Sequence, residues 1–164
     1  MDLTGRVAIV TGGASNIGRG VAEVVASHGA QVIVADLEPK RAESVADEIR
    51  GNGCVSASLT VDVSNSSSTD EMARWAIDEF GQVDILVNAA SVVGGSGWFD
   101  RQSPTLADWD AAFAVNVRGI VHATQSVESH MKNRRTGKIV NVISGTAGAT
   151  VLNQENFSNY SASR

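Results

Sequence analysis

The sequence lacks the features that mark secreted, membrane or nucleic-acid-binding proteins. Its one cysteine, Cys54, excludes an intramolecular disulfide framework, is compatible with a reducing compartment and is interpreted as a small buried side chain. The formal net charge of -5 argues against a surface for duplex nucleic acid, which needs clustered basic residues. Near the start, only Val7 to Val10 form an apolar run, too short for a signal peptide or a membrane span. We expect a cytoplasmic protein with no membrane or nucleic-acid partner.

Motifs for metal binding and for nucleophilic hydrolysis are also missing. His28, His122 and His130 lie outside HExxH and Cys/His spacings, so we expect no metal site. Ser144 lies in VISGT rather than in the GxSxG pattern of a hydrolase nucleophile. The sequence does have 43% hydrophobic and 19% charged residues, a composition that predicts one globular domain spanning residues 1–164.

Short apolar runs alternate with segments of helical periodicity, which is the pattern of an α/β protein with a parallel sheet. VAIVT, at Val7–Thr11, is continuously apolar until its last residue, as a strand buried on both faces should be. The other predicted strands are Gln31–Asp36, Cys54–Asp62, Ile85–Asn88 and Lys138–Ser144. Right-handed crossovers and one reversal predict a doubly wound, three-layer α/β/α sheet with strand order 3-2-1-4-5, in which ligands bind at the carboxyl ends of the strands.

Helices are predicted between the strands from stripes of apolar residues. A glycine after each of the first three stripes is expected to end the helix. Ser103 and Pro104 predict the N-cap and first turn of a long fourth helix that reaches about His130. The stripes are Val21, Val24, Val25 and His28; Ala42, Val45, Ala46 and Ile49; Met72, Trp75, Ala76 and Phe80; and Leu106, Trp109, Phe113 and Val117.

The first predicted strand runs into the segment TGGASNIGRG. Glycines there let the backbone turn sharply and approach a pyrophosphate, while the amides at the start of the next helix offer partial positive charge. An ordinary tight turn between strand and helix would also explain these glycines. A triphosphate-binding loop is disfavoured, because it needs Lys followed by Ser or Thr where this chain has Arg19 and Gly20.

Two carboxylates follow neighbouring strands. Asp36 ends the second strand, where a carboxylate can accept both hydroxyls of an adenosine ribose and would repel a 2′-phosphate, which favours NAD over NADP. The same residue could instead only cap the turn into the next helix. Asp62 and Val63, after the third strand, could flank an adenine ring, or Asp62 could be a plain N-cap.

Six short segments together resemble the short-chain dehydrogenase/reductase family: TGGASNIG, Asp62-Val63, VNAAS, VNVRG, KIVNVIS and YSASR. They occur in the family's order, and the resemblance runs from Val7 to Arg164. It implies a Rossmann-like fold, a nicotinamide cofactor and hydride exchange between a hydroxyl and a carbonyl group of a small-molecule substrate. It also implies a homo-oligomer of two or four chains, which in this family forms through the long helix after the fourth strand and the helix that begins at Tyr160.

The resemblance assigns site residues by their position in these segments. In such a site Ser144 would hold the substrate oxygen, Tyr160 would exchange a proton with it, and Asn116 would anchor a water path. A free tyrosine has a pKa of about 10, so proton transfer near pH 7 requires about 4 kcal/mol of stabilisation of the phenolate, which a nearby cation can supply. The pyrophosphate loop would contain Gly12, Asn16, Ile17 and Gly18; Asp36 would bind the ribose, Asp62 and Val63 the adenine, Asn88, Ala89, Ala90 and Tyr160 the cofactor wall, and Asn116, Ser144, Tyr160 and Arg164 the catalytic positions.

The chain departs from the family pattern in four places. Arg164 stands where the family has lysine, and its planar fork need not replace a compact ammonium group. Asn16 replaces a glycine but is the residue next best suited to positive φ. Ala89 and Ser91 replace an asparagine and a glycine. The separation between residues 144 and 160 is longer than usual, so either residues 150–159 form an extended flap or the serine at 144 is not the catalytic one.

The sequence as given ends at Arg164, so relative to the family it lacks the last two strands. The fifth strand should therefore be an unprotected edge. A terminal carboxylate beside the guanidinium would offset much of its field. Two functions stay open: an NAD-dependent oxidoreductase, with NADP the weaker alternative as cofactor, and a catalytically silent or truncated relative that binds NAD without transferring hydride.

Overall fold

The structure is a computed structural model that describes residues 1–93, 103–144 and 158–164. Its centre is a five-stranded parallel sheet with the order β3-β2-β1-β4-β5. The predicted doubly wound topology and strand order are therefore confirmed. The strands are β1 Val7–Thr11, β2 Gln31–Asp36, β3 Ser56–Thr60, β4 Ile85–Asn88 and β5 Lys138–Asn141.

Helices cover both faces of this sheet, and the central strand shows why its sequence is so uniformly apolar. Side chains alternate between the faces along a strand, so Val7 and Ile9 lie in one buried cluster, whereas Ala8 and Val10 lie in the other. The helical elements are α1 Asn16–Ser27, α2 Pro39–Gly51, α3 Ser66–Phe80, α4 Leu106–Phe113, a π-helical turn Ala114–Arg118, α5 Gly119–Arg134 and α6 Ser158–Ser163.

Three strands have the predicted bounds, and two are shorter than predicted. The third strand begins later because the amide of Cys54 donates to the carbonyl of Ile49 and so belongs to the end of α2. The fifth strand was predicted to reach Ser144 but ends at Asn141. Its partner β4 ends at Asn88, whose carbonyl accepts one more bond from Val142, and beyond it no strand continues the ladder among the described residues.

The buried face of α1 differs from the predicted stripe. The fully buried positions are small residues, Gly18, Ala22 and Ala26, which let the helix lie close to the sheet. Of the residues with predicted helical spacing, Val21 and Val25 pack partly buried against the cluster, whereas Val24 is 54% exposed. The stripes on α2 and α3 are confirmed, although Trp75 and Phe80 of α3 are only partly buried against the cluster.

The long helix after β4 begins two residues later than predicted. Thr105 is its N-cap and forms a capping box with Asp108, so Ser103 is not the cap and Pro104 is not in the first turn. The predicted apolar stripe is wrong at its ends, because Leu106 is 84% and Val117 is 37% exposed. The π-helical turn accounts for Val117, because it inserts an extra residue and rotates the buried face from there on, whereas Leu106 is the first residue of α4 and precedes this turn.

Strand β5 is an edge of the sheet among the described residues, as expected. All four of its residues are exposed, including the apolar Ile139 and Val140. Within the described part of the chain, no helix is both long enough and apolar enough to cross a membrane.

A polar cluster joins β4 to the end of α5 at the amino ends of the strands. The backbone amide of Val83 donates to Nε2 of His130 at 3.2 Å, which requires the neutral imidazole ring. Burial lowers the pKa of His130, and the positive charge of Arg134 adds to this effect, while Asp84 opposes it. The folded state therefore favours the neutral ring.

This cluster predicts a pH-dependent stability. An unfolded histidine takes up a proton near pH 6.5, so below about that pH the unfolded state binds more protons and the free energy of unfolding falls until the folded ring is protonated too. We expect His130→Gln, which keeps an acceptor but does not titrate, to remove part of this fall in urea denaturation between about pH 7 and pH 5. At about pH 8 the ring is neutral in both states, so the difference in the free energy of unfolding between the variant and the parent measures the part of the effect that is unrelated to titration. Equal pH slopes for the two proteins would contradict the prediction.

Candidate functional site

A pocket of about 540 Å³ lies at the carboxyl ends of the strands, where the topology predicts a ligand site. Its walls come from the turn after β1, the end of β2, and the segments after β3, β4 and β5. They are completed by α6 and by one residue of the π-helical turn. The described lining residues are Gly12, Ser15, Asn16, Ile17, Gly18, Asp36, Leu37, Val61, Asp62, Val63, Ala89, Ala90, Ser91, Val92, Val93, Val115, Val142, Ile143, Ser144, Tyr160 and Arg164.

The turn after β1 needs its glycines for close packing. Gly12 has a φ of 65°, and a Cβ there would lie 2.6 Å from Cα of Ala90. A Cβ on Gly18 would collide with the carbonyl oxygen of Gly12. Asn16 has a φ of 47°, in agreement with the expectation that it replaces a glycine with positive φ. The backbone of the turn is therefore packed too closely for a side chain at either glycine.

The amino end of α1 faces the pocket. Ser15, Asn16 and Gly18 line the cavity, and the first turn of the helix contains no acidic residue. The first amides of a helix have no partner within the helix and carry partial positive charge. Together with the glycine turn, this end of α1 can hold a phosphate or pyrophosphate group.

Asp36 lies beside this helix end and braces the turn. Its Oδ2 accepts from the amide of Ala14 at 3.0 Å, and its Oδ1 accepts from the amide of Glu38 at 3.1 Å. Each carboxylate oxygen can accept a second hydrogen bond. The side chain can therefore cap the turn and still bind hydroxyl groups of a ligand.

Asp62 and Val63 form the wall beyond β3. Oδ1 of Asp62 accepts from the amide of Ser64 at 2.9 Å, whereas the N-cap of α3 is Asn65. The alternative interpretation of Asp62 as a plain N-cap is therefore wrong. Val63 is buried and packs against Gly119. A Cβ on Gly119 would lie 2.8 Å from Cγ2 of Val63.

Three of the four predicted catalytic residues, Ser144, Tyr160 and Arg164, line this same pocket. Asn116 and Asn88 do not line it. Asn116 is fully buried behind the wall in the π-helical turn, and Nδ2 of Asn88 donates to Oδ1 of Asn141 at 2.9 Å, which ties β4 to β5. Ala89 and Ala90, which follow Asn88, do line the pocket. Of the flap expected for residues 150–159, the part up to residue 157 lies outside the described residues.

Arg164 is the one cation among the described lining residues. Its Nε and Nη1 atoms are buried and make no hydrogen bond with the described part of the chain. Buried donors without a partner are unfavourable, so these two atoms fit an acceptor or an anion in the pocket.

Two buried polar residues of α6, Asn159 and Ser163, were missed in the sequence. They are spaced four residues apart, as are Tyr160 and Arg164, so the helix carries two pairs on adjacent faces. That spacing was the signal in the sequence that could have identified Asn159 and Ser163.

Across residues 1–93, 103–144 and 158–164, no group of three potential metal ligands occurs.

Two glycines of α1 allow a matched test of the turn. Gly18→Ala should lower the free energy of unfolding by about 1–3 kcal/mol, because the new methyl group meets rigid backbone. Gly20→Ala, with no atom within 4 Å of its Cβ position, should raise it by about 0.5–1 kcal/mol. Denaturant unfolding of both variants checks this, and similar changes in the two would show that the turn is not tightly packed.

Comparisons with known proteins agree with this geometry. The family described as short chain dehydrogenase matches residues 6–164. The chain is 36% identical to 2,3-dihydro-2,3-dihydroxybenzoate dehydrogenase of Bacillus subtilis over 89% of its own length and 55% of the relative's. It is also 36% identical to D-threitol dehydrogenase of Mycolicibacterium smegmatis, over 88% of its length and 55% of the relative's.

Solved structures show the same fold. A 7α-hydroxysteroid dehydrogenase complexed with NADH and 7-oxo glycochenodeoxycholic acid has a TM-score of 0.86 at 30% identity, over 98% of this chain and 62% of that one. A metagenomic short-chain oxidoreductase in complex with NADP has a TM-score of 0.85 at 30% identity, over 98% and 71%. The chain spans little more than half the length of the curated relatives it matches. It belongs to the short-chain dehydrogenase family.

Proposed function

We propose that this protein is an NAD-dependent oxidoreductase that transfers hydride between a secondary alcohol or ketone and a nicotinamide. The observation that carries the proposal is the composition of one pocket. A glycine turn and a helix amino end line one side of it, and Ser144, Tyr160 and Arg164 line the other. A dinucleotide and a small substrate would meet between these two sides. We also propose residues 1–164 as one dinucleotide-binding domain.

The pocket residues fit a dinucleotide in two places. Gly12 and Gly18 let the turn pack against neighbouring backbone, and this turn leads into the amino end of α1, whose amides a pyrophosphate would approach in the pocket. Asp36 would bind the adenosine ribose, and Asp62 and Val63 would flank the adenine ring. A bound nicotinamide supplies the acceptor or donor of hydride.

NAD is proposed rather than NADP because of Asp36. A carboxylate accepts bonds from two ribose hydroxyls, whereas it repels a 2′-phosphate. Arg19, the nearby cation on α1, is already engaged by Glu23 and Glu48. The described pocket lining offers no other basic residue at that end, since its one cation, Arg164, is on the opposite side.

The chemistry is proposed for the other side of the pocket. In alcohol oxidation, Ser144 would hold the substrate hydroxyl, and the Tyr160 phenolate would take its proton as hydride leaves the carbon. In ketone reduction, the phenol would return that proton. The Arg164 guanidinium would stabilise the phenolate by its positive charge. Asn116 would act from behind the wall, where its side chain holds the backbone of Val92.

A second candidate function is a catalytically silent relative that binds NAD but transfers no hydride. Arg164 favours it, because the guanidinium replaces the family's lysine, and its Nε and Nη1 have no partner among the described residues.

We also propose a cytoplasmic homo-oligomer that acts on a small molecule. Val117 and Val121, exposed on the long helix, would face another copy. Sedimentation velocity would test this assembly.

Cofactor preference can be tested with two carboxylates of the same pocket. Asp36→Asn should lower the ratio of NADP to NAD dissociation constants at least about tenfold, because it removes the charge that repels the 2′-phosphate. Asp62→Asn should leave that ratio unchanged. Calorimetric titration with both cofactors measures it. An unchanged ratio in Asp36→Asn, or tighter binding of NADP than NAD by the parent, would refute the assignment.

Tyr160 and Arg164 can be tested by turnover with a panel of secondary alcohols. Tyr160→Phe should lower kcat by about 10²- to 10⁴-fold and leave the NAD dissociation constant nearly unchanged, because only proton transfer is lost. The matched control, Ser158→Ala, changes an exposed position of α6 and should retain activity. If the parent binds NAD without turnover and Arg164→Lys restores it, the silent relative is the correct function.

A further inference from the structure

Ser163 connects α6 to the π-helical turn and to the segment after β4. The Nδ2 of Asn116 donates to Ser163 Oγ at 2.8 Å and to the carbonyl of Val92 at 2.9 Å. Asn116 Oδ1 accepts from the amide of Val92 at 2.9 Å, so this amide is held in one orientation. The Ser163 hydroxyl in turn donates to the carbonyl of Tyr160 at 3.0 Å. An unbroken chain of bonds therefore leads from Val92 to the backbone of Tyr160.

Asn159 forms a second connection to the next residue of the same segment. Its Nδ2 donates to the carbonyl of Val93 at 2.6 Å and to the carbonyl of Asp108 in α4 at 3.2 Å. Both hydrogens of the amide are thus used. The reverse orientation would place the amide oxygen against two carbonyl oxygens, so the partners fix the side chain. Asn159 is fully buried, although it directly precedes a residue that lines the pocket.

These connections matter because α6 is short. It has six residues, fewer than an isolated helix needs to persist in water. Its fixed position must come from tertiary contacts. The two buried polar side chains supply them on one face, while Tyr160 and Arg164 on the adjacent face line the pocket.

We propose that Asn159 and Ser163 are positioning residues that fix Tyr160 against the pocket. This inference rests on the proposed function and deepens it. The two side chains attach α6 to the carbonyls of Val93 and, through Asn116, Val92, which themselves line the pocket. The tyrosine and the wall beside the nicotinamide would therefore be held at a constant separation.

The test uses neutral substitutions in the full chain. Asn159→Leu keeps a similar side-chain shape but has no hydrogen-bond donors. Ser163→Ala removes the hydroxyl, whereas Ser163→Thr keeps it. Ser158→Ala on the exposed side of α6 is the control. Each variant is measured for its NAD dissociation constant and for kcat. The sequence contains one tyrosine, so ring-¹³C-tyrosine labelling gives a single NMR signal that reports on Tyr160 alone.

Asn159→Leu and Ser163→Ala should lower kcat about tenfold to a hundredfold, because a displacement of about 1 Å can cost this much, while the NAD dissociation constant stays within about twofold. Without any cofactor, their tyrosine signal should move toward that of a mobile, solvated ring. Ser163→Thr and the control should resemble the parent in kcat and in signal.

Three results would overturn the inference: an unchanged tyrosine signal in both disrupting variants, an unchanged kcat in an active parent, or equal losses of NAD binding and kcat, which would indicate a role in the fold alone. Failure of the proposed function gives a different result, since the parent itself would then bind no NAD. The signal without cofactor still decides the positioning role in that case.

Discussion

The close approach of the β1–α1 turn to the segment after β4 is the contact on which the site depends. The amide of Ala89 donates to the carbonyl of Thr11 at 3.2 Å, and Gly12 then touches the backbone of Ala90. Only glycine permits this contact, because any Cβ would separate the two segments. The approach brings the amino end of α1 beside the β4 segment, and a pocket forms between them. A single packing constraint thus places the anion-binding end of a helix next to a wall of small residues.

The segment after β4 also links the side of the pocket where we propose that the nucleotide binds, the nucleotide side, to the side lined by Tyr160, the tyrosine side. Ala90 contacts the glycine turn, whereas Val92 and Val93 are bound by the amides of Asn116 and Asn159. Three successive contacts along one short stretch therefore determine how far α6 lies from α1. Asn116, which holds Val92, lies in the π-helical turn, a distortion of the helix that is common at functional sites.

The sequence predicted the sheet well because its signals are local. Apolar runs, glycine stops and the order of elements depend on few distant contacts, and the bounds of β1, β2 and β4 agree with the structure. The face of the helix after β4 could not be predicted in the same way. Regular periodicity placed Val117 inside, but the π-helical turn, in which Asn116 makes buried tertiary hydrogen bonds, shifts the register there. Asn159 was missed for a related reason, since its partners lie far away in sequence.

The departure at Arg164 has different consequences for the two sides of the pocket. The nucleotide side depends on backbone amides, glycines and Asp36, none of which contacts this residue in the described part of the chain. Cofactor binding is therefore expected to tolerate arginine. In the proposed function the tyrosine side requires a cation at a set distance, and a guanidinium spreads its charge over a plane instead of concentrating it at one nitrogen. In the proposed function the arginine would therefore separate binding from turnover, so that a chain that binds NAD well would still be a slow enzyme.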